Sequence, residues 1–236
     1  MENFLEKFWD MFFPKKCINC QEFGDYLCVD CLSLIEVLQD CYCPFCNTPT
    51  IVAEGKTCRD CSHNHYLNGL FAATSFQNSI VKKAIHVFKY PPLIKSLAIP
   101  LTSLLITHLE LASVKHKLTD FIIVPVPLSK TKLRFRGFNQ AEEIADILTK
   151  SIHSQIQNVL IRTRNTRSQV ELSRIERKNN VDGIFAINPK MISIIKNKKI
   201  LLIDDVFTTG ATIDEAAKVL KQNGAKEVWA AVIARE

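Results

Sequence analysis

Apolar residues along this chain follow two patterns. Continuous runs at Leu70–Phe76, Phe121–Pro127, Val159–Ile161, Ile200–Ile203 and Val228–Ala234 read as strands, the longer ones buried on both faces of a parallel sheet. Spaced apolar positions between them read as helices. Ile80, Ala84, Ile85, Val87 and Phe88 predict a short helix that ends near Lys89-Tyr90, where Pro91-Pro92 stop it. Leu93–Leu111 predicts a longer helix with Pro100 as a kink or boundary, and Gly137–Ile152 predicts another on Ala141, Ile144, Ala145, Ile147 and Leu148. A final helix runs to Leu220. Strands alternating with helices predict an α/β fold with a parallel sheet.

The segment before Leu70 has a different character. All nine cysteines of the chain lie between Cys17 and Cys61. Eight form pairs with two intervening residues: Cys17/Cys20, Cys28/Cys31, Cys43/Cys46 and Cys58/Cys61. Each pair can turn both thiolates toward one tetrahedral metal ion, so four pairs predict two structural Zn sites. Sequential pairing puts the first two pairs on one ion and the last two on the other; an interleaved scheme stays open. Cys41 is left over as a buried apolar residue, an alternative ligand or a free thiol. His63 and His65 follow Cys61 and read as surface or supporting residues. The domain reading is 1–66 for an N-terminal helix and the cysteine module, and 67–236 for the α/β domain.

Upstream, Phe4, Leu5, Phe8, Trp9 and Phe12 predict one face of an amphipathic helix. Acids interleave with these residues, unlike the basic start and unbroken apolar core of a secretion signal. That predicts a cytoplasmic protein, whose reduced thiols favour Zn over a disulfide framework. No apolar run reaches membrane-spanning length. The composition of the 236 residues, 47% hydrophobic and 23% charged with net charge +6, is that of an ordinary globular protein. This charge permits nucleic-acid binding without requiring it.

The chemistry concentrates where the run Ile200–Ile203 ends. Asp204 and Asp205 follow it, then Thr208, Thr209, Gly210 and Thr212 around a polar turn, then a helix. Ligands of parallel sheets bind beyond the carboxyl ends of strands. Gly210 allows close backbone approach to an anion, and helix-start amides with threonine hydroxyls supply donors. The carboxylates repel phosphate but accept hydrogen bonds from a ribose diol. Such a site expects a sugar phosphate. The plainer alternative is a helix capped by Asp204 or Thr212 after an ordinary strand.

The segment Asp204-Asp205-Val206-Phe207-Thr208-Thr209-Gly210-Ala211-Thr212 resembles the phosphoribosyl pyrophosphate motif of type I phosphoribosyltransferases. Two further segments narrow the resemblance. One is Val124-Pro125-Val126-Pro127-Leu128-Ser129-Lys130 with Arg134-Phe135-Arg136-Gly137-Phe138-Asn139-Gln140-Ala141. The other comprises Gln169, Leu172-Ser173-Arg174, Arg177, Asn180-Val181 and Phe185. With the cysteine module, the chain from Cys17 to Arg235 is similar to the ComF family of competence proteins. The resemblance implies a type I phosphoribosyltransferase-like parallel sheet with helices on both faces, preceded by a small double zinc ribbon. It also implies a role in DNA uptake for natural transformation, with single-stranded DNA and a helicase-like partner.

The resemblance assigns Asp204 and Asp205 to the ribose and to the catalytic position. Val206, Thr208, Thr209, Gly210, Ala211 and Thr212 belong to the 5′-phosphate grip, with Mg²⁺ accompanying the pyrophosphate ligand. Lys130, Lys132, Arg134 and Arg136 carry four positive charges in what reads as a loop, with Lys130, Arg134 and Arg136 facing pyrophosphate. Lys89 matches a family lysine and reaches toward a phosphate. The segment Arg162–Lys178 is basic and poor in apolar residues. It reads as a cover over the substrate or as a track for nucleic-acid phosphates, with Arg134, Arg136, Arg174 and Arg177 as DNA contacts. Phe135 and Phe138 read as stacking faces or as core. Three functions stay open: a DNA-uptake protein, an active phosphoribosyltransferase of nucleotide metabolism, and a zinc-stabilised adaptor that has kept the loop without using it.

Overall fold

The computed structural model describes residues 14–46, 50–163 and 182–236. The expected amphipathic helix over Phe4–Phe12, and Arg174 and Arg177 of the basic segment, lie outside the described residues.

Five strands form one parallel sheet: β1 (Gly69–Ser75), β2 (Phe121–Pro125), β3 (Gln155–Ile156), β6 (Lys199–Phe207) and β7 (Glu227–Arg235). Their order is β1-β7-β6-β2-β3. The expected strand at Val159–Ile161 belongs elsewhere. As β4 (Leu160–Arg162) it pairs antiparallel with β5 (Phe185–Ile187) in a separate ribbon. Both are too short for their pairing to be read from composition.

Side-chain alternation along β6 explains its unbroken apolar run. Leu201 and Ile203 face one layer, with α3 (Ser79–Lys89), α4 (Ala98–Leu111) and α6 (Gln140–Ile152). Ile200 and Leu202 face the other, with α8 (Ala211–Gln222) and the β4–β5 ribbon. All four are fully buried, so each contributes about 1.5–3 kcal/mol of hydrophobic stabilisation.

Local chemistry sets the helix ends. The Asn78 side chain accepts from the amides of Ile80 and Val81 and starts α3. A 3-10 turn at Lys95–Leu97 precedes α4, so the expected start at Leu93 shifts to Ala98. Pro100 lies in the first turn, where its missing N–H costs nothing. The stretch expected to be a basic loop is instead a short helix, α5 (Lys130–Arg136), capped by Ser129 and ended by Gly137 at φ 77°. Asn139 then caps α6, so that helix begins three residues after the expected Gly137.

The cysteine module carries two matching pieces. Cys28 precedes α1 (Val29–Ser33) and Cys58 precedes α2 (Arg59–Ser62). In each, the second cysteine of the pair falls within the short helix one turn on, which brings the two sulfurs together. The first piece is built into the main core: Cys17, Leu27, Cys31 and Ile35 share the α3–α4 layer. The Leu38 amide donates to the Ala73 carbonyl at 2.8 Å, and His108 Nδ1 lies 2.6 Å from the Leu38 carbonyl. Among the described residues, the remaining helical segments are α7 (Ile192–Ile195) and short 3-10 segments.

Strand order positions the site. From β6 the chain crosses through α8 to β7 on one side; from β2 it crosses through α5 and α6 to β3 on the other. The carboxyl ends of β2 and β6, paired at Pro125 and Ile203, therefore flank a crevice where connections diverge. Doubly wound sheets bind ligands at such a point.

Candidate functional site

A cavity of about 500 Å³ opens at this crevice. Its lining includes Asp204, Asp205 and the whole turn from Val206 to Thr212. The turn leaves β6 at Phe207 and enters α8 at Ala211, so the free amides of a three-turn helix start at the cavity wall. Gly210 has φ 76°. A side chain there would collide with the Phe207 ring and approach the Phe45 ring at 2.8 Å. Glycine is required on both conformational and steric grounds.

The two acids differ in their surroundings. Asp205 continues the side of Leu201 and Ile203, is buried, and meets Lys89 Nζ at 2.7 Å. Asp204 continues the other side, is half-buried, and accepts the Asp205 amide at 2.9 Å. Burial and the neighbouring Asp205 charge push the Asp204 carboxyl up to about 7, against the opposing pull of Lys89 and Arg162. Lys89 does line the cavity, where its ammonium neutralises Asp205.

Basic residues and a histidine share the remaining wall with apolar side chains. Lys82, His86 and Lys89 recur at i, i+4 and i+7 along α3, and Lys132 and Arg136 at i and i+4 along α5. Arg162 at the end of β4 completes the set. Burial, reinforced by Arg162, Arg136 and Lys89, pushes the Lys132 ammonium below the usual lysine range. The Arg136 guanidinium donates to Gln140 Oε1 at 2.8 Å and lies over the Tyr90 ring at 5.6 Å. Gln140 is held in turn by the Phe88 carbonyl at 2.7 Å. These contacts fix one guanidinium plane at the cavity edge, suited to bidentate binding of phosphate oxygens.

Helical phase redistributes the four charges expected to act together. Residues two apart on a helix point in roughly opposite directions. Lys132 and Arg136 line the cavity, whereas Lys130 and Arg134 are exposed and outside its lining. Lys130 and Arg134, expected to face pyrophosphate, are therefore not among the residues that line the cavity. Phe135 is 58% exposed beside Arg134, while Phe138 packs on Phe88 at 5.5 Å. Lys82, His86, Lys132 and Arg162 are cavity residues absent from the expected ligand set. Lys82 and His86 stand in a segment expected to be helical, but their inward phase was not visible in the sequence; Lys132 stood in a stretch expected to be a loop.

The eight paired cysteines form two clusters, Cys17/Cys20/Cys28/Cys31 and Cys43/Cys46/Cys58/Cys61. Pairing is therefore sequential, and Cys41 stands outside both. Within each cluster all sulfurs lie within 4.8 Å of one another. Cys20 and Cys28 sulfurs are 3.6 Å apart, and Cys46 and Cys58 sulfurs 3.5 Å. Four thiolates at the Zn–S distance form a tetrahedron with edges of about 3.8 Å, whereas a disulfide requires about 2.05 Å. Asn19 Nδ2 and the Cys58 amide point donors at Cys31 and Cys43 sulfurs, which eases the charge of four thiolates on one ion. The donor sets fit Zn²⁺ in closed, structural sites. Among the described residues, no helix is long and apolar enough to cross a membrane.

Comparison with known proteins agrees with this geometry. Residues 136–236 match the family described as phosphoribosyl transferase domain, and residues 8–62 match the double zinc ribbon domain. The chain is 30% identical over 207 residues to competence protein ComFC of Bacillus subtilis (strain 168), covering 84% of this chain and 79% of that protein. It is 27% identical over 218 residues to competence protein ComFC of Streptococcus pneumoniae (strain ATCC BAA-255 / R6), covering 86% and 84%. It is 36% identical over 110 residues to DNA utilization protein YhgH of Escherichia coli (strain K12), where the match spans 45% of this chain and about half (47%) of that protein.

Proposed function

Because the chain belongs to the ComF family of competence proteins, with a phosphoribosyltransferase domain behind a double zinc ribbon, we propose that it acts in DNA uptake by binding a phosphoribosyl pyrophosphate-type ligand and single-stranded DNA. One observation carries the first part. The acid pair, the threonine turn and the cations of α3 and α5 line one cavity. Asp204 and Asp205 accept from the ribose hydroxyls. Thr208, Thr209, Gly210, Ala211 and Thr212 surround the 5′-phosphate, and Lys132, Arg136 and Arg162 take the pyrophosphate end. Mg²⁺, when bound with the ligand, screens the pyrophosphate charge. Lys89 then has two anions within its reach and neutralises whichever is presented.

The outer face of α5 supports the second part. Lys130, Arg134 and the ring of Phe135 are all exposed along it and outside the cavity lining, and cations near an exposed aromatic ring suit a flexible strand. One short helix thus serves a small ligand inward and a nucleic acid outward. We infer that Arg174 and Arg177, which lie outside the described residues, also contact the strand, and that a helicase-like partner acts with the protein.

Calorimetric titration with phosphoribosyl pyrophosphate and Mg²⁺ tests the cavity. Binding is expected in the native protein and its loss in the Asp204→Asn/Asp205→Asn double variant. No heat and no thermal shift at millimolar ligand would overturn the assignment. Salt-dependent retention of labelled single-stranded DNA tests the track: Arg134→Ala with Phe135→Ala should weaken it while leaving the small-ligand titration unchanged. A second reading, active phosphoribosyl transfer, is favoured by the acids standing in the same cavity as the turn, where they would stabilise positive charge at the anomeric carbon. Pyrophosphate release across a panel of nucleobases decides between the two.

A further inference from the structure

The second cysteine cluster touches the ligand turn through side chains that metal binding does not require. Phe45 lies inside the Cys43–Cys46 knuckle. Its ring lies flat on His65, with centroids 3.5 Å apart and planes within 2°. It also meets the Phe207 ring edge-on at 5.9 Å, and it is one of the rings that crowd Gly210. His65 Nδ1 in turn lies 2.9 Å from Asp214 Oδ2. The other Asp214 oxygen accepts from the amides of Tyr66 at 2.7 Å and Leu67 at 3.0 Å. Asp214 belongs to the first turn of α8, and its own amide donates to the Gly210 carbonyl at 2.8 Å. The Cys43–Cys46 knuckle and the segment after Cys61 therefore hold the turn at its strand end, its glycine and its helix end.

The turn needs such holding. It separates the ligand cavity from a second one of about 600 Å³, and Thr208, Thr209, Gly210 and Ala211 line both. A backbone with cavities on either side depends on packing from neighbouring segments to stay closed. The first cysteine cluster offers no comparable support. Its neighbours Leu38, Ala73 and His108 belong to the α3–α4 side.

We propose that Phe45, His65 and Asp214 are positioning residues through which the Cys43/Cys46/Cys58/Cys61 cluster pre-organises the phosphate turn, so that metal in the second cluster, and not in the first, sets ligand affinity. The physical basis is that metal binding orders a ribbon otherwise too small to fold, and order in the knuckle fixes the Phe45 ring. The affinity part of this inference rests on the reading of Thr208–Thr212 as the ligand turn; the ordering part does not.

The test measures amide hydrogen exchange of the 207–214 peptide, metal content, and affinity for phosphoribosyl pyrophosphate with Mg²⁺. Phe45→Ala should keep two Zn per chain, speed exchange of 207–214 about tenfold and weaken affinity about tenfold, the scale of losing a pair of ring contacts. Phe45→Tyr, which keeps the ring, should restore both. Asp214→Ala, which leaves all eight paired cysteines in place, should loosen the turn to a similar extent. Cys61→Ser should also loosen it, and Cys20→Ser should not. Unchanged exchange in Phe45→Ala and Asp214→Ala, or equal loosening by Cys20→Ser and Cys61→Ser, overturns the proposal. A native protein that binds no ligand would overturn the functional reading instead, while the exchange comparison still decides the coupling.

Discussion

Asp204→Asn should stabilise the ligand-free protein, and more so as pH rises. The Asp204 carboxyl moves from an ordinary 3.8 to about 7 because burial and the Asp205 charge disfavour its ionised form. An acid whose folded pKa is raised binds its proton more tightly in the folded chain. Its cost to stability is absent below about 4, grows as pH climbs to about 7, and is constant above. Three pH units at 1.36 kcal/mol each set that constant cost at about 4 kcal/mol, less whatever water entry relieves. About half has accrued by pH 5.5. Asparagine keeps the shape and never ionises. Its advantage over the native residue should therefore grow by about 2 kcal/mol between pH 5.5 and pH 8.5, or about 4–8 °C in melting temperature for a chain of this size. Parallel thermal melts of the two proteins at the two pH values supply the measurement, and any pH effect on the cysteine clusters is common to both. An advantage that stays constant or shrinks across this window would refute the account of the acid pair. The same variant should bind phosphoribosyl pyrophosphate less well, a trade of function for stability.

Three further outcomes follow from the same geometry. Lys89→Met leaves Asp205 buried without its 2.7 Å partner and should cost about 2–4 kcal/mol at pH 8; denaturant unfolding should show the cost shrinking at pH 5, where the acid pair takes up a proton. Gly210→Ala forces a side chain onto φ 76° and into the Phe207 ring, so calorimetry should detect no ligand binding even where the variant remains folded by circular dichroism. A strong chelator should release two Zn per chain, and a lowered melting temperature should accompany the release because the first cluster is part of the main core; a melt unaffected by metal loss would contradict that placement.

The local chemistry of this protein was legible in the sequence because it is local. Two residues between cysteines are enough to aim two sulfurs at one ion, and both clusters formed as the sequential spacing implied. An apolar run ending in Asp204-Asp205 and a threonine turn is enough to specify a buried strand with a polar exit, and β6 and α8 lie there. Errors arose where one short element could take either of two forms. Lys130–Arg136 has few apolar residues and reads as loop, but Ser129 and Gly137 cap it as a helix at both ends. Val159–Ile161 reads as a sheet strand, but its partner β5 belongs to a separate ribbon.

The sequence by itself determined which chemical groups this chain carries: two quartets of thiolates, a threonine-glycine turn, a pair of acids before it, and a surplus of basic groups. Tertiary structure alone decided which of them meet. The phase of α5 sends Lys132 and Arg136 inward and leaves Lys130 and Arg134 in solvent. Sheet order brings the ends of β2 and β6 together, and packing of the second ribbon lays Phe45 against a turn more than 160 residues away in the chain. Spacing along a chain constrains neighbours within a helical turn or two. Contacts between distant segments are set by register, helix phase and layer packing, which no short stretch encodes.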